Sequence, residues 1–97
     1  MLDSKSLSQI REIIAEHLNL REYQVFIFGS RASPQTWKFS DIDIGIEGKH
    51  KLPARLLAVL DEAFEESDLP YTVDVVDFSS VSDTFKRIAK KNVINVS

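Results

Sequence analysis

Ser40-Asp41-Ile42-Asp43-Ile44-Gly45-Ile46 has the clearest structural pattern of the chain, because isoleucines alternate with other residues through it without a break. Side chains of a β-strand point alternately to its two faces, so this pattern predicts a strand over Asp41–Glu47 with its isoleucines in a core. Asp41 and Asp43 then share the opposite face. They repel each other there and add nothing to a core, but carboxylates are suitable ligands for a hard cation such as Mg²⁺. The segment therefore indicates a metal-dependent active site.

A second motif ends ten residues before this strand. Tyr23-Gln24-Val25-Phe26-Ile27-Phe28 is a run of strand-forming residues that leads into Gly29-Ser30. Glycine permits a tight turn in which backbone amides can face a phosphate group. We therefore expect Gly29 and Ser30 to bind phosphate. Arg31, directly after the turn, is either a further phosphate contact or an ordinary surface charge.

A third carboxylate lies inside a later apolar strand, predicted over Tyr71–Val76. A charge in such a strand is costly unless it is paired or binds a metal. Asp74 therefore either lies at a solvated edge or joins Asp41 and Asp43 in a two-metal site. Asp77, three positions further on, should point to the opposite face and cap the following turn.

The other segments predict a small α/β (α+β) fold. Apolar residues at helical spacing predict helices over residues 7–18 and Pro53–Glu66, and a last helix that begins near Ser80 or Ser82. Residues 92–97 receive no assignment. The resulting order of helix, strand, turn, strand, helix, strand and helix predicts a small mixed β-sheet with helices packed on one face.

Length and composition limit the classes of function. The 97 residues predict one domain over residues 1–97, and the net charge of −3 argues against general nucleic-acid binding. There is no cysteine, so neither a disulfide nor a thiolate metal site is possible. We find neither a signal peptide nor an apolar run of about 18 residues, and so expect a cytoplasmic protein that does not enter membranes.

Together, the motifs resemble those of the nucleotidyltransferase superfamily that includes DNA polymerase beta. The resemblance rests on Gly29-Ser30, the ten-residue gap, Asp41-Ile42-Asp43, and a later aspartate, Asp74, inside an apolar strand. The short chain and the runs Gly29-Ser30-Arg31-Ala32 and Ser40–Ile44 further resemble the minimal nucleotidyltransferase (MNT) proteins of prokaryotes, over residues 7–90. This resemblance implies a polymerase beta-like nucleotidyltransferase core that transfers AMP from ATP to a hydroxyl group.

The same resemblance implies a role for each motif residue. Asp41 and Asp43 would bind two Mg²⁺ ions, and Asp74 would bind the catalytic one and help deprotonate the acceptor. Ser30 and the backbone around Gly29 would hold the β- and γ-phosphates of ATP.

Two further segments each have two alternative roles. Many relatives carry small and basic residues between the first two motifs, whereas this chain has Ser33–Phe39. Trp37 and Phe39 either stack on adenine or anchor the loop to the core. The cations Lys86, Arg87, Lys90 and Lys91 form either a solvated helix face or a contact for a partner or a phosphate.

The acceptor should come from a partner protein, because the predicted core elements use nearly every residue and leave none for an acceptor pocket. MNT proteins are commonly paired, as antitoxins, with a HEPN-domain ribonuclease toxin, and some transfer AMP onto a tyrosine of that toxin. The resemblance thus implies a protein adenylyltransferase antitoxin. A non-catalytic toxin-binding module and a small-molecule, aminoglycoside-type nucleotidyltransferase are the alternatives. Polymerase activity is disfavoured because no region offers a basic groove for a template.

Overall fold

The computed structural model describes residues 4–28 and 41–96, and of Asp41 it describes only the backbone. The elements in these ranges are α1 (Ser4–Ala15), β1 (Gln24–Phe28), β2 (Asp41–Glu47), α2 (Ala54–Glu65), β3 (Thr72–Asp77), α3 (Asp83–Ala89) and β4 (Ile94–Asn95). None of the helices in the described ranges is long and apolar enough to cross a bilayer. The assignment of residues 1–97 to a single domain stays a prediction.

The four strands form one mixed sheet in the order β3-β2-β1-β4. The central strands β1 and β2 are antiparallel, and β3 runs parallel to β2 after the crossover through α2. This arrangement confirms the predicted small mixed sheet. The structure adds β4, which pairs antiparallel with β1 and is extended by a hydrogen bond of 2.8 Å from Val96 N to Val25 O.

One face of the sheet, here called the core face, packs against α1 and α2. The alternation of β2 places Ile42, Ile44 and Ile46 on this face, and all three are fully buried. The helices contribute their apolar stripes to the same cluster, with Ile10 and Ile14 from α1 and Leu60 and Phe64 from α2. The isoleucine pattern thus fixes which way β2 faces.

The opposite face of the sheet carries Asp43 and Asp74, and we call it the carboxylate face. The part of this face formed by β1 is covered by a second apolar cluster around Phe26, Phe28 and Phe78. Ala89 of α3 packs against this cluster. The predicted packing of helices on one face holds for α1 and α2, whereas α3 contacts this other face. The reason lies in β1, where apolar side chains point to both faces and both therefore need cover.

Gly45 allows the aromatic cluster to lie flat against β2. A Cβ atom at this position would lie 2.5 Å from the Phe26 ring and 2.8 Å from the Phe78 ring. Both distances are shorter than van der Waals contact, so any side chain would push the rings away. The glycine in the alternating segment is therefore a packing requirement of the carboxylate face.

Candidate active site

Asp43 and Asp74 lie side by side on the two parallel strands. Their Cα atoms are register partners in the β2–β3 ladder, and neighbouring strands lie about 4.8 Å apart. Both side chains project from the carboxylate face, since the residues that flank Asp43 point into the core. Asp43 is half-buried and Asp74 is exposed. The structure thus brings together two of the three predicted site carboxylates, while their role as metal ligands stays a prediction.

The remaining predicted site residues are only partly covered by the structure. The Cα atom of Asp41 is the register partner of Thr72. This pair lies two residues before the Asp43–Asp74 pair and therefore on the same face of the sheet. Its side chain lies outside the described residues, as do Gly29, Ser30 and Arg31 and the loop residues Trp37 and Phe39. Their roles in binding metal or nucleotide therefore stay predictions.

The donor set on the carboxylate face fits a hard cation. Mg²⁺ is usually held by one or two protein carboxylates together with water and substrate phosphates, and Asp43 and Asp74 supply two such groups on adjacent strands. Among the side chains that the structure describes, no group of three His, Cys, Asp or Glu residues could hold a metal ion. A three-carboxylate site therefore depends on Asp41.

A further carboxylate, Asp61 of α2, lies near Asp74 at the β3 edge of the sheet. Partial burial raises the pKa of Asp61, and the charges of Asp74 and Glu65 raise it further. These residues line an open cavity of about 410 Å³ beside β3. The excess of negative charge at this edge favours a bound cation. No sequence pattern pointed to Asp61, because it looks like any exposed helix residue until α2 is placed against β3.

The β1 side of Asp43 has the opposite character. The Cα partner of Asp43 on β1 is Phe28, so an aromatic ring borders the carboxylates on this side. The ring centroid of Phe28 lies 4.9 Å from that of Phe78 and 6.2 Å from that of Phe85 in α3. One side of the candidate site is therefore acidic and the other apolar.

Glu47, the last residue of β2, connects α3 to the carboxylate face through ion pairs. It accepts a hydrogen bond from Lys90 Nζ, and its other oxygen lies 3.1 Å from Lys86 Nζ. The bond from Lys90 holds the pKa of Glu47 below its ordinary value; partial burial opposes this effect and Lys86 reinforces it. Two of the four cations that the sequence offered for a solvated face or a ligand contact are thus engaged in ion pairs within the chain.

Asp77 is a structural residue, as its spacing from Asp74 predicted. Its Cα partner is Ile46, whose side chain lies in the core. The buried carboxylate accepts hydrogen bonds from Ser79 N at 2.9 Å, which caps the turn, and from Leu52 N at 2.8 Å. The second bond, which the sequence did not predict, ties the segment before α2 to the end of β3.

A larger cavity, of about 710 Å³, is an open groove between α1 and α2. It lies on the core-face side of the sheet, away from Asp43 and Asp74. We place the candidate site at the paired carboxylates rather than in this groove, because Asp43 and Asp74 are register partners on adjacent strands and lie on one face of the sheet.

Known proteins are similar to this chain in sequence and in fold. A probable protein adenylyltransferase, MntA of Haemophilus influenzae, is 34% identical over 90 residues, which cover 93% of this chain and 77% of the relative. A solved toxin–antitoxin complex with AMP-PNP contains a chain with a TM-score of 0.76 at 21% identity, covering 94% of this chain and 72% of that one.

A second solved complex, of the tri-AMPylated Shewanella oneidensis HEPN toxin with its MNT antitoxin, matches with a TM-score of 0.64 at 20% identity. That match covers 94% of this chain and 71% of the other. At such identities these structures support the fold alone. The family model for polymerase beta nucleotidyltransferases matches residues 8–96, nearly the whole chain, and confirms the resemblance read from its motifs. The chain thus belongs to the polymerase beta nucleotidyltransferase family, and it is a nucleotidyltransferase.

Proposed function

We propose that this nucleotidyltransferase is a protein adenylyltransferase antitoxin, which transfers AMP from ATP to a tyrosine hydroxyl of a HEPN-domain toxin. The observation that carries the proposal is the register pairing of Asp43 with Asp74 on the exposed carboxylate face. Support for the class of reaction comes from the H. influenzae relative, named a protein adenylyltransferase. Support for the partner comes from the MNT antitoxin of similar fold that was solved with an AMPylated HEPN toxin.

The three carboxylates have two roles in catalysis, metal binding and proton acceptance. Asp41, Asp43 and Asp74 would hold two Mg²⁺ ions, and Asp74 would also accept the proton of the acceptor hydroxyl. When bound, the ions neutralise charge on the phosphates and lower the pKa of the attacking hydroxyl. Gly29, Ser30 and Arg31 bind the β- and γ-phosphates.

The transfer itself is an in-line displacement at the α-phosphorus of ATP. The tyrosine oxygen forms a bond to the α-phosphorus as the bond to the bridging oxygen of pyrophosphate breaks. The products are the tyrosine–AMP phosphodiester and pyrophosphate, and the hydroxyl proton leaves through Asp74. Most of the rate enhancement then comes from positioning and from fixed charge, which the rigid pairing of β2 with β3 supplies.

The proposal includes the location of the protein and its lack of stable binding to nucleic acid. ATP as the donor is consistent with a cytoplasmic protein. Stable nucleic-acid binding is not expected from a chain with a net charge of −3.

The test is AMP transfer from α-labelled ATP and Mg²⁺ to the purified HEPN-domain protein of the same organism. We expect label on a tyrosine of that protein, and a decrease in rate of at least about 10²-fold for Asp43→Asn, because one preorganised charged group is lost. Glu62→Gln, an exposed carboxylate on α2 away from the site, is the matched control and should keep the wild-type rate.

Two results would argue against the proposal. One is an Asp43→Asn variant that keeps most of the activity, which would remove the metal-ligand assignment. The other is a wild-type protein that labels no protein acceptor. In that case Mg²⁺ and ATP are titrated into the protein in a calorimeter. Absence of nucleotide binding would indicate a non-catalytic binding module, since such a module need not bind nucleotide.

A further inference from the structure

We propose that the exposed apolar side of α3, formed by Phe85 and Ile88 and here called the α3 patch, is the surface on which the acceptor protein docks. This inference rests on the proposed function and deepens it by assigning the acceptor a place on the carboxylate face. The partner has a defined chemistry: it presents an apolar side chain flanked by carboxylates, with the acceptor hydroxyl nearby.

The α3 patch is exposed to solvent although both of its side chains are apolar. Phe85 is 43% and Ile88 is 60% accessible to solvent. Of the four large apolar residues exposed in the described part of the chain, three lie between Phe85 and Val93. Phe85 and Ile88 are three residues apart in a helix and therefore lie on the same stripe. A second protein that packs against this stripe would remove apolar surface from water.

A single residue, Phe28, lies between the α3 patch and the candidate active site. Phe85, Ile88 and Ala89 line a cavity of about 290 Å³ together with Phe28 and Asn92. Phe28 is in turn the β1 partner of Asp43. A side chain inserted into this cavity would therefore hold the adjoining part of its protein against the carboxylates.

The acceptor protein could approach the carboxylates from the β3 side or from the α3 side, and these two sides differ in charge. On the β3 side, Asp61, Glu65 and Asp74 concentrate negative charge. On the α3 side, Arg87 and Lys91 are exposed next to the α3 patch. Arg87 and Lys91 therefore select a partner segment that carries carboxylates, and the negative charge at the β3 edge would repel such a segment there.

Lys86 of α3 and Lys90, directly after it, hold the α3 patch in place. Lys86 and Lys90 both bind Glu47 on β2, and the Lys90 Nζ atom lies 5.4 Å from the centre of the Phe26 ring. These contacts fix the rotation of α3 about its axis. Phe85 and Ile88 are thereby held in one orientation on the carboxylate face, and such preorganisation lowers the cost of docking.

The test compares Ile88→Gln with Val59→Gln, in which an exposed apolar residue of α2 on the other side of the sheet receives the same change. Val59 is 37% accessible, and glutamine is a good helix former, so both variants should fold. The purified HEPN-domain protein of the same organism is titrated into each variant in a calorimeter, without nucleotide. We expect Ile88→Gln to raise the dissociation constant at least about 10-fold and Val59→Gln to leave it unchanged. Both variants should bind Mg²⁺ and ATP like the wild type.

Arg87→Glu tests the charge complementarity separately. It should weaken binding of the HEPN protein, and added salt should weaken its binding less than that of the wild type, because an attractive contact has become repulsive. An unchanged dissociation constant for both Ile88→Gln and Arg87→Glu overturns the docking surface. So does a wild-type protein that does not bind the HEPN protein.

Two further outcomes distinguish partner docking at the α3 patch from nucleotide binding there and from the proposed function itself. If Ile88→Gln loses affinity for Mg²⁺ and ATP but binds the HEPN protein normally, the cavity receives the nucleobase and the inference is wrong. If the wild type binds the HEPN protein through the α3 patch but transfers no AMP to it, the proposed function fails and the docking surface stands.

Discussion

The two faces of β2 differ in what their residues do. On the core face, three isoleucines are fully buried against two helices and do nothing except pack. On the carboxylate face the residues have different roles, since Asp43 pairs with Asp74, Gly45 makes room for aromatic rings, and Glu47 holds α3. Stability and activity should therefore respond to different residues of one strand, although those residues are neighbours in sequence.

The largest effect on stability is expected from the core face. Ile44→Ala should lower the free energy of unfolding by about 2–5 kcal/mol, because it removes buried methyl groups and leaves a cavity. Urea denaturation measures this change. Ile88→Ala, which removes the same atoms from an exposed position, is the control and should change stability by about 0.5 kcal/mol or less. Equal effects of the two substitutions would mean that the side chain of Ile44 does not lie in the core.

A smaller loss is expected for Asp77→Asn. Asparagine has only one acceptor oxygen, so either Leu52 N or Ser79 N would lose its hydrogen bond inside the protein. An unsatisfied buried donor costs about 1–3 kcal/mol, which urea denaturation would detect. Asp74→Asn, an exposed position on the same strand, should leave stability nearly unchanged. The reverse order would contradict the assignment of the two aspartates to opposite faces.

Gly45→Ala should also destabilise the protein, by about 1–3 kcal/mol, because its methyl group would overlap the rings of Phe26 and Phe78. The partner substitution Phe26→Leu offers a specific check. In a double-mutant cycle it should recover part of the loss, since the two positions share one contact. Strictly additive losses would show that the methyl group meets something other than the Phe26 ring.

The smallest effect concerns Glu47 and depends on pH. The folded protein holds the pKa of this carboxyl below the ordinary value of 4.5, so the ion pairs stabilise the fold fully above that pH. The stabilisation is lost as the pH falls through the lowered folded pKa. Glu47→Gln should therefore cost at most about 1 kcal/mol at neutral pH and nothing in strong acid. Thermal melts over a pH series measure the difference, and a cost that persists in acid would exclude the ion pairs as its cause.

The local pattern of the sequence was enough to predict β2, since strict alternation determines both its bounds and its two faces. It also predicted the opposite orientations of Asp74 and Asp77, which follow from their separation of three residues. The pairing of Asp43 with Asp74 could only be hypothesised, because register between strands depends on the crossover helix between them.

The features that the sequence did not reveal depend on contacts between distant segments. β4 has two residues, and its pairing with β1 joins positions almost seventy residues apart. The place of α3 was missed as well, although a signal was present. Val25, Phe26, Ile27 and Phe28 form a continuous apolar run, which is typical of a strand buried on both faces.

The catalytic role of the carboxylate pair can be measured as the rate of AMP transfer by Asp74→Asn and by Asp77→Asn, each with α-labelled ATP, Mg²⁺ and the HEPN-domain protein. The rates are expressed per folded molecule, so the stability lost in Asp77→Asn does not enter. We predict that Asp74→Asn lowers the rate at least about 10²-fold, while Asp77→Asn stays within a few-fold of the wild type. Wild-type activity in Asp74→Asn would contradict the claim that the two paired carboxylates form the active site.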